Sequence, residues 1–123
     1  MADKTYLEWP FFTDAHRQFA SDLELWCNAN LPVDHKDTDR TCRLLVSALG
    51  KDGWLQHSAV KQGETLDVRL LCLTREILAR HDGLADFAFA MQGLGMGALS
   101  LFGTELQRQW IDKTRQGHAI AGF

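Results

Sequence analysis

Leu84-Ala-Asp-Phe-Ala-Phe-Ala-Met-Gln-Gly-Leu-Gly-Met-Gly-Ala-Leu-Ser-Leu-Phe102 is the most apolar stretch of this 123-residue chain, and its reading decides the fold. Asp86 near its start, Gln92 in its middle and Ser100 near its end interrupt the apolar run. A charged or amide group is costly in lipid, and the segment is short for a bilayer, so a membrane span is the weaker reading. The expectation is a central helix, buried among others. Gly93 and Gly97 are four residues apart and share one helix face. Their missing side chains allow close approach of another helix or leave a slot for a ligand. A phosphate-cradling loop would follow a strand and open a helix; these glycines lie inside an apolar segment instead.

Working outward from that helix, helical signals recur and strand signals are nearly absent. Upstream, Leu66 to His81 reads as a helix apolar on most sides, with Val68, Leu70, Leu71, Leu73, Ile77 and Leu78, and so largely buried. His81-Asp82-Gly83 punctuates the chain, with His81 expected to cap helix carbonyls. Downstream, Thr104-Glu-Leu-Gln107 is a capping box opening a helix from Glu105 to about Gln116. Leu106, Trp110 and Ile111 should face inward there, with Gly117 as the stop. Nearer the N-terminus, Thr13 can cap a helix running to about Asn28 with Ala15, Phe19, Leu23, Trp26 and Cys27 inward. Asn30, Pro32 and Asp34 break it. Thr38 to Leu49 follows, its Cys42, Leu45, Val46 and Leu49 at helical spacing, closed by Gly50 and Gly53. Trp54 and Leu55 should pack back before an irregular stretch, Gln56 to Thr65, where a short extended piece stays open. The expected fold is all-α: one domain over residues 1–123, a bundle-like array of about five to six antiparallel helices.

The end of the chain, Gly117-His-Ala-Ile-Ala-Gly-Phe123, begins like a strand and stops. A lone strand has nothing to pair with in a helical domain, which places a domain boundary at Phe123; a short tail packed on the bundle is the alternative.

Composition limits the chemistry. A net charge of -3 gives no basic footprint for nucleic acid. Cys27, Cys42 and Cys72 make an odd, widely spaced set without a CxxC pair, which points to a reducing, cytoplasmic setting rather than a disulfide framework or zinc site. The first residues lack the features of a signal peptide. His16, His35, His57, His81 and His118 form no metal-binding spacing, and no serine or cysteine has the setting of an activated nucleophile. By itself the chain is expected to carry no complete catalytic site.

Together several segments resemble the N-terminal helical domain of the acyl-CoA dehydrogenase family. They are Leu73-Thr-Arg-Glu-Ile-Leu-Ala-Arg-His-Asp82, Gly83-Leu-Ala-Asp-Phe-Ala-Phe-Ala-Met-Gln-Gly-Leu-Gly95, Leu101-Phe-Gly-Thr-Glu-Leu-Gln-Arg-Gln-Trp110 and Gly117-His-Ala-Ile-Ala-Gly-Phe123. The most specific part is the FGTE-Q---W element followed by G--A-AGF. The Gly53-Trp-Leu55 turn and the helix ending near Asn30-Leu-Pro32 fit as well, so the resemblance spans about residues 14 to 123.

The resemblance implies an FAD-dependent enzyme that oxidises an acyl-CoA thioester to the 2,3-enoyl-CoA. In it a glutamate removes a proton while hydride passes to the flavin and its electrons to an electron-transfer flavoprotein. Helical, sheet and second helical domains make up such enzymes, commonly as tetramers. This chain matches only the first, so the flavin site and the glutamate would lie beyond Phe123, and no FAD is expected on this chain alone. What carries over is a wall of the acyl pocket: Asp86, Phe87, Ala90, Met91 and Leu94, with Phe87 narrowing the slot for a compact acyl group. Acyl-CoA oxidases and flavin monooxygenases resemble the same domain. The remaining alternative is a stand-alone helical binding or oligomerisation module. A lone domain of this kind should self-associate through its uncovered apolar surface.

Overall fold

In the computed structural model, which describes residues 2–122, capping groups mark where the helices begin. Helix α1 is Asp14–Asn30, α2 Thr38–Lys51, α3 Val68–His81, α4 Gly83–Phe102 and α5 Glu105–Arg115. A 3-10 turn at Thr5–Glu8 precedes them. Asp37 accepts from the Arg40 N–H at the head of α2, Asp67 from the Arg69 N–H at α3, and Asp82 from the Leu84 N–H at α4. Thr104 and Gln107 form the reciprocal capping box predicted for α5. The fold is all-α, and no strand forms among the described residues.

The helices meet in one apolar core. Ala20, Leu23 and Cys27 of α1 join Leu45, Val46 and Leu49 of α2, Leu55 of the following turn, Ile77 and Leu78 of α3, and Ala85, Ala88 and Phe89 of α4. Helix α3 packs on α1 and α4, and α4 also reaches α2 and α5. Where α2 meets the end of α5 the backbones touch. A Cβ at Gly50 would lie 2.3 Å from the Gly117 nitrogen, and Gly117 has φ +74°, so both positions need glycine.

Buried polar groups tie the helix ends together. The Thr13 N–H donates to His16 Nδ1 at 3.1 Å, so the opposite ring nitrogen, Nε2, donates to Asp67 at 2.8 Å and joins the heads of α1 and α3. Arg69 grips the same carboxylate and, with His16, holds Asp67 well below the usual carboxylate range against the opposing effect of burial. At the other end of α3, Arg80 and His81 both bond Glu24 of α1.

Several sequence expectations change. His16 rather than Ala15 enters the core of α1, because its ring finds partners at both nitrogens. Helix α3 begins at Val68 rather than Leu66, with Asp67 as its cap, and only Leu73, Thr74, Ile77 and Leu78 are buried on it. His81 bonds Glu24 instead of helix carbonyls, and the capping role falls to Asp82, which starts α4. Helix α4 is buried along one face of its first half only, through Ala85, Ala88, Phe89 and Gln92. By length and composition it could cross a membrane (mean hydropathy 1.3). On α5, Ile111 is buried, but Leu106 and Trp110 are 74% and 49% exposed. No strand begins after Gly117. The segment folds onto α4, where the Ala121 N–H donates to Gln92 Oε1 at 2.9 Å. Phe123, the expected boundary, lies outside the described residues.

Candidate functional site

The glycines of α4 have three different surroundings. At Gly93 a Cβ would stand 3.0 Å from the Ser58 carbonyl oxygen, so the loop after α2 occupies that place. At Gly95 it would stand 2.6 Å from the Ala121 side chain. At Gly97 nothing lies within 4 Å. The slot expected from Gly93 and Gly97 is therefore filled at one end by backbone and open at the other.

That opening belongs to a groove of about 370 Å³ between α3, α4 and the 58–66 loop. Phe89, Ala90, Leu94, Gly97 and Leu101 of α4 form one wall, and Val60, Leu66 and Leu71 face them. Its serines are turned to structural work: Ser58 Oγ donates to the Leu55 carbonyl, and Ser100 Oγ accepts the Val60 N–H. What remains is an apolar trough, with the Arg75 side chain at its edge. The Asp86 carboxylate grips Arg75 at 2.9 and 3.0 Å, which raises the Arg75 pKa further.

Of the five residues assigned to the acyl wall, Ala90 and Leu94 line this groove. Asp86 sits one turn earlier, locked to α3 through Arg75. Phe87 and Met91 lie round the helix from the groove, and Phe87 is 58% exposed. The helical repeat explains the split: 100° per residue spreads these five over more than a third of the circumference, wider than one groove wall. Gly97 and Leu101 extend the wall by further turns along the face of Ala90 and Leu94, a continuation visible in the spacing. Val60, Leu66 and Leu71 come from other segments and have no such local signal.

Behind Phe89 lies His57, its ring 5.7 Å from the Phe89 ring and 5.0 Å from that of Phe19. Thr74 Oγ1 donates to the Leu70 carbonyl, so it accepts from His57 Nε2–H at 2.8 Å. Burial pushes this imidazole down to about 4 and keeps it neutral at pH 7. It does not line the groove.

This arrangement can hold an apolar chain. It is a poor fit to a dinucleotide flavin: the groove walls are side chains without free donors for a pyrophosphate, and the glycines lie inside a helix rather than at its start. Among the described residues no cluster of three or more His, Cys, Asp or Glu side chains could hold a metal ion. No protein-family model matches the chain, and no curated protein matches it.

Proposed function

We propose that this chain is the N-terminal helical domain of an FAD-dependent acyl-CoA dehydrogenase and contributes one wall of the acyl pocket, without catalysing a reaction alone. The observation that supports this reading is the apolar groove beside α4, lined by Ala90 and Leu94 from the wall that the family resemblance implies and open at Gly97. Apolar walls with few polar groups suit a hydrocarbon tail, whose affinity comes from area removed from water. In the complete enzyme the flavin, the glutamate and the contact with an electron-transfer flavoprotein belong to other domains. The free thiols of Cys27, Cys42 and Cys72 support a reducing, cytoplasmic setting.

Calorimetric titration of the chain with octanoyl-CoA and with CoA tests the reading. Heat is expected from the acyl thioester alone, and filling the groove by Gly97→Leu should remove it. Equal response to both ligands, or binding that survives Gly97→Leu with helix content unchanged, would overturn it. A second reading, a stand-alone binding or oligomerisation module, is favoured by a separate feature: the uncovered apolar face of α4, where Leu94, Leu101 and Phe102 are 55%, 65% and 84% exposed.

A further inference from the structure

The outward face of α4 has a period of its own. Phe87, Met91, Leu94, Ala98 and Leu101 follow each other at spacings of four, three, four and three, and Phe102 flanks the last of them. That is the 3.5-residue repeat of a helix–helix seam, in which each apolar side chain enters a hole on a facing helix. The core side of the same helix, through Ala85, Ala88, Phe89 and Gln92, is already satisfied within the fold. The seam is not: Phe87, Leu94, Leu101 and Phe102 are 58%, 55%, 65% and 84% exposed.

We infer that this seam is the interface of a homodimer, formed by α4 packing antiparallel on the α4 of a second copy. Three observations support a second copy rather than another occupant. The first is charge. An isologous interface pairs residues of one surface with residues of the same surface and brings those beside the two-fold axis close to their own equivalents, so a seam with charges of one sign repels itself. Helix α4 contains a single charged residue, Asp86, and Arg75 of the same chain already neutralises it.

The second is shape. A two-fold axis between Leu94 and Ala98 seats the Leu94 of each copy on the small Ala98 of the other, and the same register brings Met91 opposite Leu101. Large meets small near the axis, as interdigitated helices require.

The third is area. Even at the roughly 150–250 Å² of an aromatic side chain for each, these exposures sum to at most about 400–650 Å² per copy and about 800–1,300 Å² for the pair, which reaches the lower end of specific interfaces. The inference does not rest on the acyl reading, although Leu94 and Leu101 belong to both the seam and the groove.

Sedimentation velocity and light scattering over a wide concentration range test it. A closed two-fold interface predicts a mass that rises from 13.9 kDa and levels at twice that value. The variant Ala98→Glu presses a carboxylate onto the apolar Leu94 of the other copy on both sides of the axis, leaving each charge without a partner, and should weaken association about a hundredfold. Ala98 is exposed within the monomer, so circular dichroism should show unchanged helix content. Phe102→Glu, at the end of the seam, serves as a second variant with the same direction. A monomer at every concentration, a mass that climbs without levelling, or a dimer indifferent to both substitutions would each overturn the proposal.

Discussion

Helix α4 meets two different environments along its length. From Gly83 to Gln92 it has a buried side, where Ala85, Ala88 and Phe89 join side chains from α1, α2 and α3 in the common core. From Gly93 onward none of its residues is buried, although the sequence there is no less apolar. The two halves share composition and differ in what covers them. Hydrophobicity along a helix thus reports a tendency to be covered and does not say by what. In the first half the cover is the rest of the domain; in the second Leu94, Leu101 and Phe102 stay exposed, the first two beside the groove.

The comparison is sharpest when the same deletion is made in each half. Phe89→Ala removes a side chain that is 1% exposed and packed against His57, and should cost about 3–5 kcal/mol, as buried aromatic truncations do. Urea denaturation of the variant and the parent chain measures it. A loss below about 1 kcal/mol would mean that the core around Phe89 collapses to fill the space.

The first half should also respond to acid in a way the second does not, because His57 stands behind Phe89. Its folded-state pKa is lowered to about 4 from an ordinary 6.5, chiefly by burial. The unfolded chain therefore binds the proton more readily, and stability is fully present above pH 6.5 and is lost as pH falls toward 4. Between pH 7 and pH 5 the loss should be about 2 kcal/mol. His57→Phe, which removes the titration, should flatten that slope while lowering stability at pH 7 through the lost bond to Thr74. Asp67 and Asp82, whose pKa values are lowered, act in a separate window: their contribution is present above about pH 4 and fades below it. A slope between pH 7 and pH 5 that survives His57→Phe would assign the acid response to another group.

At the join of the two halves, Gln92 accepts from the Ala121 N–H and donates to the Ala88 carbonyl. Gln92→Leu leaves the Ala121 N–H without its partner in a buried place and should cost roughly 1–2 kcal/mol. The distinguishing readout is hydrogen exchange: the Ala121 amide should lose protection while amides in α1 keep theirs. Uniform change across both would mean that the C-terminal segment is part of the global unfolding unit.

These differences mark how far the sequence could be read. Helix number, the Thr104–Gln107 box and the stop at Gly117 are local signals, and each is in place. The inward positions expected for Leu106 and Trp110 depend on more than a local signal. Their spacing correctly puts them on one side of α5, but Ile111 and Thr114 supply the buried side. A helix has room for more than one apolar stripe, and only the positions of neighbouring helices decide which is covered. His16 was hidden for a related reason: its partner Asp67 is 51 residues away. Asp82 was closer to legible, since an Asp two residues before the first core leucine of α4 is an ordinary capping signal. On the groove, Ala90 and Leu94 are among the wall residues that the family resemblance implies, whereas Val60, Leu66 and Leu71 arrive from a loop and a second helix whose placement no local pattern encodes.

The smallest effect completes the comparison. Phe102→Ala deletes as large a side chain as Phe89→Ala does, from the same helix, but at a position 84% exposed. Little apolar area returns to water when such a residue is shortened, so monomer stability should change by no more than about 0.5 kcal/mol. Measured in dilute solution, where association is suppressed, thermal unfolding of the variant should overlay that of the parent. At high concentration the curves should separate if the proposed seam forms, because a partner that binds only the folded chain raises its apparent stability and Phe102 lies at the end of that seam. Two curves that coincide at both concentrations would leave the second half of α4 an inert surface. A gap already present at low concentration would instead make Phe102 part of the monomer's own packing and remove the contrast between the halves.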